Sequence, residues 1–122
     1  MGAHPVVHFE IGAHDVDAQA GFYSELFGWD TATFDPGYRT IEAPDGVGIG
    51  GGIMALSDDM PNYVTVYVQT DELEATLATA VALGGRELVP PTPIPQVGRF
   101  ALFADPEGQT IGLIEPTGDR PG

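Results

Sequence analysis

A chain of 122 residues with 43% hydrophobic and 18% charged residues is sized and composed for one globular domain that buries about two-thirds of its unfolded surface. Eighteen acids against four arginines and no lysine leave a net charge of -14, which repels a phosphate backbone and excludes nucleic acid as a partner. Without cysteine there is no disulfide, thiolate nucleophile or zinc finger; no apolar run approaches the ~20 residues of a membrane span, and Met1–Pro5 lacks a basic, apolar leader, so a cytoplasmic protein is expected.

Val6–Gly12 opens with alternation. Val7, Phe9 and Ile11 point one way and His8, Glu10 and Gly12 the other, the period of a strand with one apolar and one polar face. Asp15 reads as the N-cap of a helix whose apolar positions, Val16, Ala20, Tyr23 and Phe27, recur at helical spacing until Gly28 stops it. Asp30–Phe34 leads to the turn formers Asp35-Pro36-Gly37. Tyr38–Glu42 reads as a strand, Ala43-Pro44-Asp45-Gly46 as a tight turn, and Val47–Ala55 as a glycine-rich strand that something approaches closely. Leu56–Pro61 is a polar link.

The opening pattern then recurs. In Tyr63–Gln69, Val64, Val66 and Val68 share one face and Tyr63, Thr65, Tyr67 and Gln69 the other. Asp71, with Glu74 three residues on, has the form of a capping box for a helix with Leu73, Leu77, Ala80 and Val81 as its apolar stripe and Gly84-Gly85 at its end. Arg86–Val89 begins a strand, and Pro90, Pro91, Pro93 and Pro95 make a stiff, extended loop after it. Arg99–Ala104 and Gln109–Ile114 read as strands joined by the turn Asp105-Pro106-Glu107-Gly108, and Thr117–Gly122 as a frayed tail.

A shift of 57 lays His8 on Thr65, Ile11 on Val68, Val16 on Leu73 and Gly28 on Gly85; a shift of 62 lays Pro44-Asp45-Gly46 on Pro106-Glu107-Gly108 and Gly50 on Gly112. The chain is therefore one α+β domain, residues 1–122, made of two βαβββ modules at about 5–56 and 62–116. With the helices outside, the mixed β-sheets would curve toward each other and line a cleft with their polar faces, where a ligand would sit.

This duplicated unit resembles the vicinal oxygen chelate superfamily, which includes glyoxalases, bleomycin-resistance proteins and extradiol dioxygenases. HFEIGAHDVDAQAGFYSELFGW resembles the opening of that family and GRFALFADPEGQTIGLIEP its closing strands. The resemblance implies an inward-facing metal ligand on the first and last strand of each half, at His8, Gly50, Thr65 and Gly112 here. Only His8 is a ligand, and one imidazole is too few for a divalent metal that takes three or more protein donors. No cofactor is expected, with a divalent metal and substitute ligands such as Glu10 as the alternative. Glu115, near the chain's end, is placed one strand face away from the cleft.

The expected function is metal-independent binding of a small organic molecule, aromatic or a natural product, as in bleomycin-resistance relatives. His8, Glu10, Met54, Tyr63, Thr65, Tyr67, Gln69, Arg99 and Phe100 are the candidate ligand-binding residues. Flat rings offer contact area, and Arg99 could meet an anion unless it is spent on an internal ion pair. The alternative is an enzyme in which His8 and Glu10 move a proton in isomerase, cyclase or lyase chemistry, with Glu10 tuning the His8 pKa upward. A glyoxalase or dioxygenase metalloenzyme comes third. Trp29 fits either a ligand stack or a helix cover, and a homodimer is implied by the resemblance.

Overall fold

The computed structural model describes residues 3–117, so the expected tail beyond Thr117 lies outside the described residues. These fall into two compact units, Val7–Val66 and a second made of residues 3–6 with 67–117. The fold is α+β, with the element order βαβββ occurring twice.

In the Val7–Val66 unit, β1 (Val6–Ala13) is followed by α1 (Val16–Phe27), β2 (Thr31–Asp35), β3 (Tyr38–Ile41) and β4 (Gly50–Ala55). The strand order is β2-β3-β4-β1, with β1 parallel to β4 and the other pairs antiparallel. Both ends of α1 follow from sequence. Asp15 Oδ1 accepts the Ala18 N–H, and Gly28 takes the left-handed conformation, φ 72°, that returns its own N–H to the Ser24 carbonyl. The helix covers the apolar face of the strands, where Ile11, Ala13, Ala20, Ile41 and Ile53 are buried. Complete burial of a side chain such as Ile53 contributes about 1.5–3 kcal/mol. Phe9, Tyr23 and Trp29 pack on this core, with Trp29 ring centroids 5.6 Å from Phe9 and 5.5 Å from Tyr23. Trp29 is a helix cover.

In the second unit, β5 (Tyr63–Gln69, which begins in the first) is followed by α2 (Leu73–Ala82), β6 (Arg86–Ile94), β7 (Gly98–Ala104) and β8 (Thr110–Pro116). The order is β5-β8-β7-β6, with β5 parallel to β8. Leu73, Leu77, Ala101 and Leu113 form the core under α2, with Val68 and Phe103 against it.

Five sequence expectations are corrected. The α2 cap is Glu72 rather than Asp71, because Thr70 Oγ1 and Glu115 Oε2 already accept the N–H groups of Glu72 and Leu73. Val81 is 45% exposed, since the core under this short helix extends only across Leu73 and Leu77. The proline segment is not a loop but the second half of β6. That strand ends the sheet, so prolines without N–H groups fit it at the cost of register shifts between Glu87 and Thr92. Val47–Ile49 precede β4 rather than belonging to it, because Gly46 and Gly48 have φ of 70° and 82°. Finally, Gly52 lies beside Glu10 and Thr40, while Gly112 lies beside Tyr67 and Leu102. Gly112 therefore answers to Gly52, not Gly50; the two-residue slip keeps every side chain on its face.

Candidate functional site

The side of the first unit's strands away from α1 carries His8, Glu10 and Gly12 on β1, Tyr38 and Thr40 on β3, and Gly50, Gly52 and Met54 on β4. Glu10 is 6% exposed, and a buried carboxylate is costly unless its oxygens are bonded. Both are. Tyr38 donates its hydroxyl to Oε1 at 3.1 Å and Tyr63 donates its own to Oε2 at 2.6 Å. His8 Nε2 lies 2.8 Å from the Tyr38 hydroxyl. Because Tyr38 has one proton and gives it to Glu10, the Tyr38 oxygen accepts from His8, which fixes His8 as the Nε2–H tautomer.

Glycine makes this cluster possible. A Cβ on Gly52 would stand 2.0 Å from the Tyr38 hydroxyl and 2.2 Å from its ring, and one on Gly12 would stand 2.5 Å from the Tyr63 ring. Each tyrosine thus lies flat over a bare strand, which is how its hydroxyl reaches Glu10. On the helix side, Phe9 lies over Gly51 in the same way. The rim is apolar: Phe34, 50% exposed, stands edge-on to Tyr38 with centroids 6.2 Å apart, and Met54 is 41% exposed.

Burial pushes the Tyr63 phenol well above its usual range, and the Glu10 carboxylate adds to the shift, so this hydroxyl keeps its proton. His8 is shifted down from its ordinary value by burial, against the upward pull of Glu10. The expected upward tuning by Glu10 is present but outweighed.

Of the other residues singled out from sequence, Thr65 belongs to the Val7–Val66 unit and Tyr67, Gln69, Arg99 and Phe100 to the second. Thr65 is buried, with Oγ1 donating to the Val66 carbonyl at 3.4 Å. Tyr67, in the second unit, is 7% exposed and its ring lies over Gly112. Gln69 accepts a hydrogen bond from His4 Nδ1 through its backbone carbonyl and lines a cavity of about 870 Å³ beside α2, together with Val68, Thr76, Thr79, Leu83 and Phe103. Phe100 is half-buried on β7 opposite Ile114. Arg99 is committed to ion pairs, at 2.5 Å to Glu74 and 2.6 Å to Glu115. Glu115, which also binds the Leu73 N–H, is accordingly on the helix side. Sequence reading missed Tyr38. The signal for it was Gly52, a gap of ring size opposite the strand that Tyr38 opens.

Relatives of the metalloenzyme type raise the question of a metal. The positions His8, Gly50, Thr65 and Gly112 supply one imidazole and one hydroxyl, and the Glu10 carboxylate already accepts two phenols. Among the described residues no three His, Asp or Glu side chains gather as a metal would need. The residues present do not fit a catalytic divalent metal.

The glyoxalase-like domain profile matches residues 7–114. CFP32 of Mycobacterium tuberculosis, a protein named as a glyoxylase, is 33% identical over 104 residues, which are 82% of this chain and 40% of that protein. The anthracycline biosynthesis protein DnrV of Streptomyces peucetius is 34% identical over 123 residues, covering 86% of this chain and 44% of that one. The chain therefore spans about two-fifths of the length of these curated relatives. Among solved structures, the Mn(II)-bound glyoxalase of Novosphingobium aromaticivorans superposes with a TM-score of 0.65 at 19% identity, covering 98% of this chain and 43% of that one; this likeness speaks to the fold.

Proposed function

This chain belongs to the glyoxalase-like domain family of the vicinal oxygen chelate superfamily, and on that footing we propose that it binds a small organic molecule without a metal, on the face around Glu10. One observation carries this reading. The buried Glu10 carboxylate, the substitute ligand nearest His8, already accepts Tyr38 and Tyr63, and partly exposed Met54 and Phe34 border it as apolar walls. An apolar surface with a few oriented polar groups is the usual form of a small-molecule site. The naming of DnrV for anthracycline biosynthesis favours a natural product as the ligand. The test is thermal unfolding of chelator-treated protein against a panel of aromatic natural products. A ligand at about 100 times its Kd should stabilise the chain by about 2.7 kcal/mol. Stabilisation that appears only when a divalent metal is supplied would contradict the proposal.

The hydrogen-bonded chain His8–Tyr38–Glu10 favours a second reading, acid–base catalysis. With Nε2 donating to Tyr38, the lone pair is on Nδ1, and an imidazolium formed by taking a proton there would be stabilised through Tyr38 by Glu10. Isomerase, cyclase or lyase steps need this chemistry. If a ligand is turned over, His8→Gln should cut the rate about a hundredfold or more; a binder would lose only modest affinity. A homodimer is part of the same proposal, as the chain's membership of a family whose members often pair suggests. Sedimentation equilibrium showing only the 12.8 kDa monomer would count against pairing.

A further inference from the structure

The direction of each hydrogen bond in the Glu10 cluster restricts what can bind there, given the binding face proposed above. Tyr63 gives its only hydroxyl proton to Glu10 Oε2, Tyr38 gives its own to Oε1, and His8 Nε2–H is turned onto Tyr38. The three donors all serve the buried carboxylate. Toward any other molecule the Tyr63 oxygen can only accept, because a phenol has one proton and two lone pairs.

Positive charge is committed as well. Arg39 is the one lysine or arginine in the Val7–Val66 unit, and it is ion-paired with Asp17 of α1. Arg39 neighbours Tyr38 in sequence and so points to the helix side of β3, away from Glu10. A carboxylate or phosphate on this face would meet phenol oxygens and a buried carboxylate, with no uncommitted lysine or arginine from the Val7–Val66 unit, in a protein of net charge -14. An alcohol, amide N–H or ammonium would meet acceptors.

We infer that the face around Glu10 takes a neutral or cationic head group that donates hydrogen bonds to Tyr63, carried on an apolar or aromatic body that lies against Phe34 and Met54, and that it rejects anionic ligands. This is the reverse of a metal site, which collects oxygen acceptors. It narrows the proposed ligand to amines and alcohols and removes carboxylates and phosphate esters.

Three probes of one shape separate the possibilities: benzylamine, benzyl alcohol and benzoate. Each is titrated at neutral pH to about 20 mM, the affinity range of fragments this small, into protein labelled on tyrosine and histidine rings and followed by NMR. Benzylammonium and benzyl alcohol should shift the Tyr63 and His8 signals saturably, and benzoate should bind at least about tenfold more weakly than benzylammonium. Glu10→Gln, which replaces the charge with an amide that both donates and accepts, should shrink that preference several-fold while the spectrum stays dispersed. Benzoate binding at Tyr63 as tightly as benzylammonium would overturn the donor inference and leave the binding face standing. No shift at Tyr63 or His8 with any of the three would overturn both.

Discussion

Two acidic clusters in this chain use the same carboxylate chemistry under different conditions. In the first unit Glu10 is 6% exposed and is held by two phenols with an imidazole behind one of them. In the second, Glu74 and Glu115 grip Arg99, with the Glu74 side chain 66% exposed and the Arg99 side chain 35%. The Arg99–Glu74 pair of the exposed cluster has full opposite charges at short range, yet water and salt screen it and two long side chains must be immobilised to form it. Glu10 in the buried cluster is largely shielded from water, so losing one of its bonds leaves a desolvated group. Burial, not formal charge, therefore decides which cluster the structure depends on, and the buried one is built of groups suited to contact a ligand.

The largest expected effect is at the centre of the buried cluster. Glu10→Ala would remove the acceptor of the Tyr38 and Tyr63 hydroxyl protons and should cost about 2–3 kcal/mol in urea unfolding. A loss as small as that of a surface substitution would erase the distinction between the clusters. Next comes Gly52→Ala, whose new Cβ would displace the Tyr38 ring and forfeit its bonds to Glu10 and His8, a cost of about 1–2 kcal/mol. Gly52→Ala and Tyr38→Phe remove the same bonds, so the double variant should be markedly less destabilised than the two single losses together; full additivity would show that Gly52 acts through something else.

The pH effects are smaller and differ in window. His8 is depressed below 6.5 in the folded chain, so it stabilises the fold while neutral; that contribution is present above about pH 6.5 and is lost as pH falls toward its folded value. Ring NMR should give a His8 midpoint below that of an unfolded histidine, and a midpoint above 6.5 would mean that Glu10 outweighs burial. Glu74 is drawn down to about 2 by its hydrogen bonds to Arg99, so its contribution is present above the ordinary glutamate range and lost as pH falls from about 4.5 to 2. Glu74→Gln should flatten this part of the acid limb and lower neutral-pH stability by the same small amount, since the exposed pair is screened, the smallest effect of the set. A neutral-pH loss equal to that of Glu10→Ala would show that the exposed cluster is not screened.

Much of this was legible in the residues. Alternation in Val6–Gly12 and Tyr63–Gln69, the Asp15 cap and the Gly28 stop place β1, α1 and β5, because local period and cap chemistry determine them. Alternation also put His8 and Glu10 on the face away from the helix. The glycines of β4 signalled a close approach, but what approaches is a tertiary fact: Tyr38 and Phe9 come from neighbouring strands, and no local pattern names them. The edge position of β6 was equally hidden, since a proline run reads as a loop until the sheet order shows that its N–H groups are dispensable. The register that sets Gly112 beside Tyr67 is illegible in the sequence for a related reason: a glycine-rich strand has little to anchor its alignment, and a slip of two preserves every face.

The most direct test is the divalent metal content of freshly purified, untagged protein prepared without chelator, measured by elemental analysis together with the same measurement on Glu10→Ala. A carboxylate occupied by Tyr38 and Tyr63 predicts less than about a tenth of an equivalent per chain in both preparations. One equivalent per chain that disappears in Glu10→Ala would mean that Glu10 is a metal ligand, that the phenols yield to the ion, and that the site belongs with the metalloenzymes of its family.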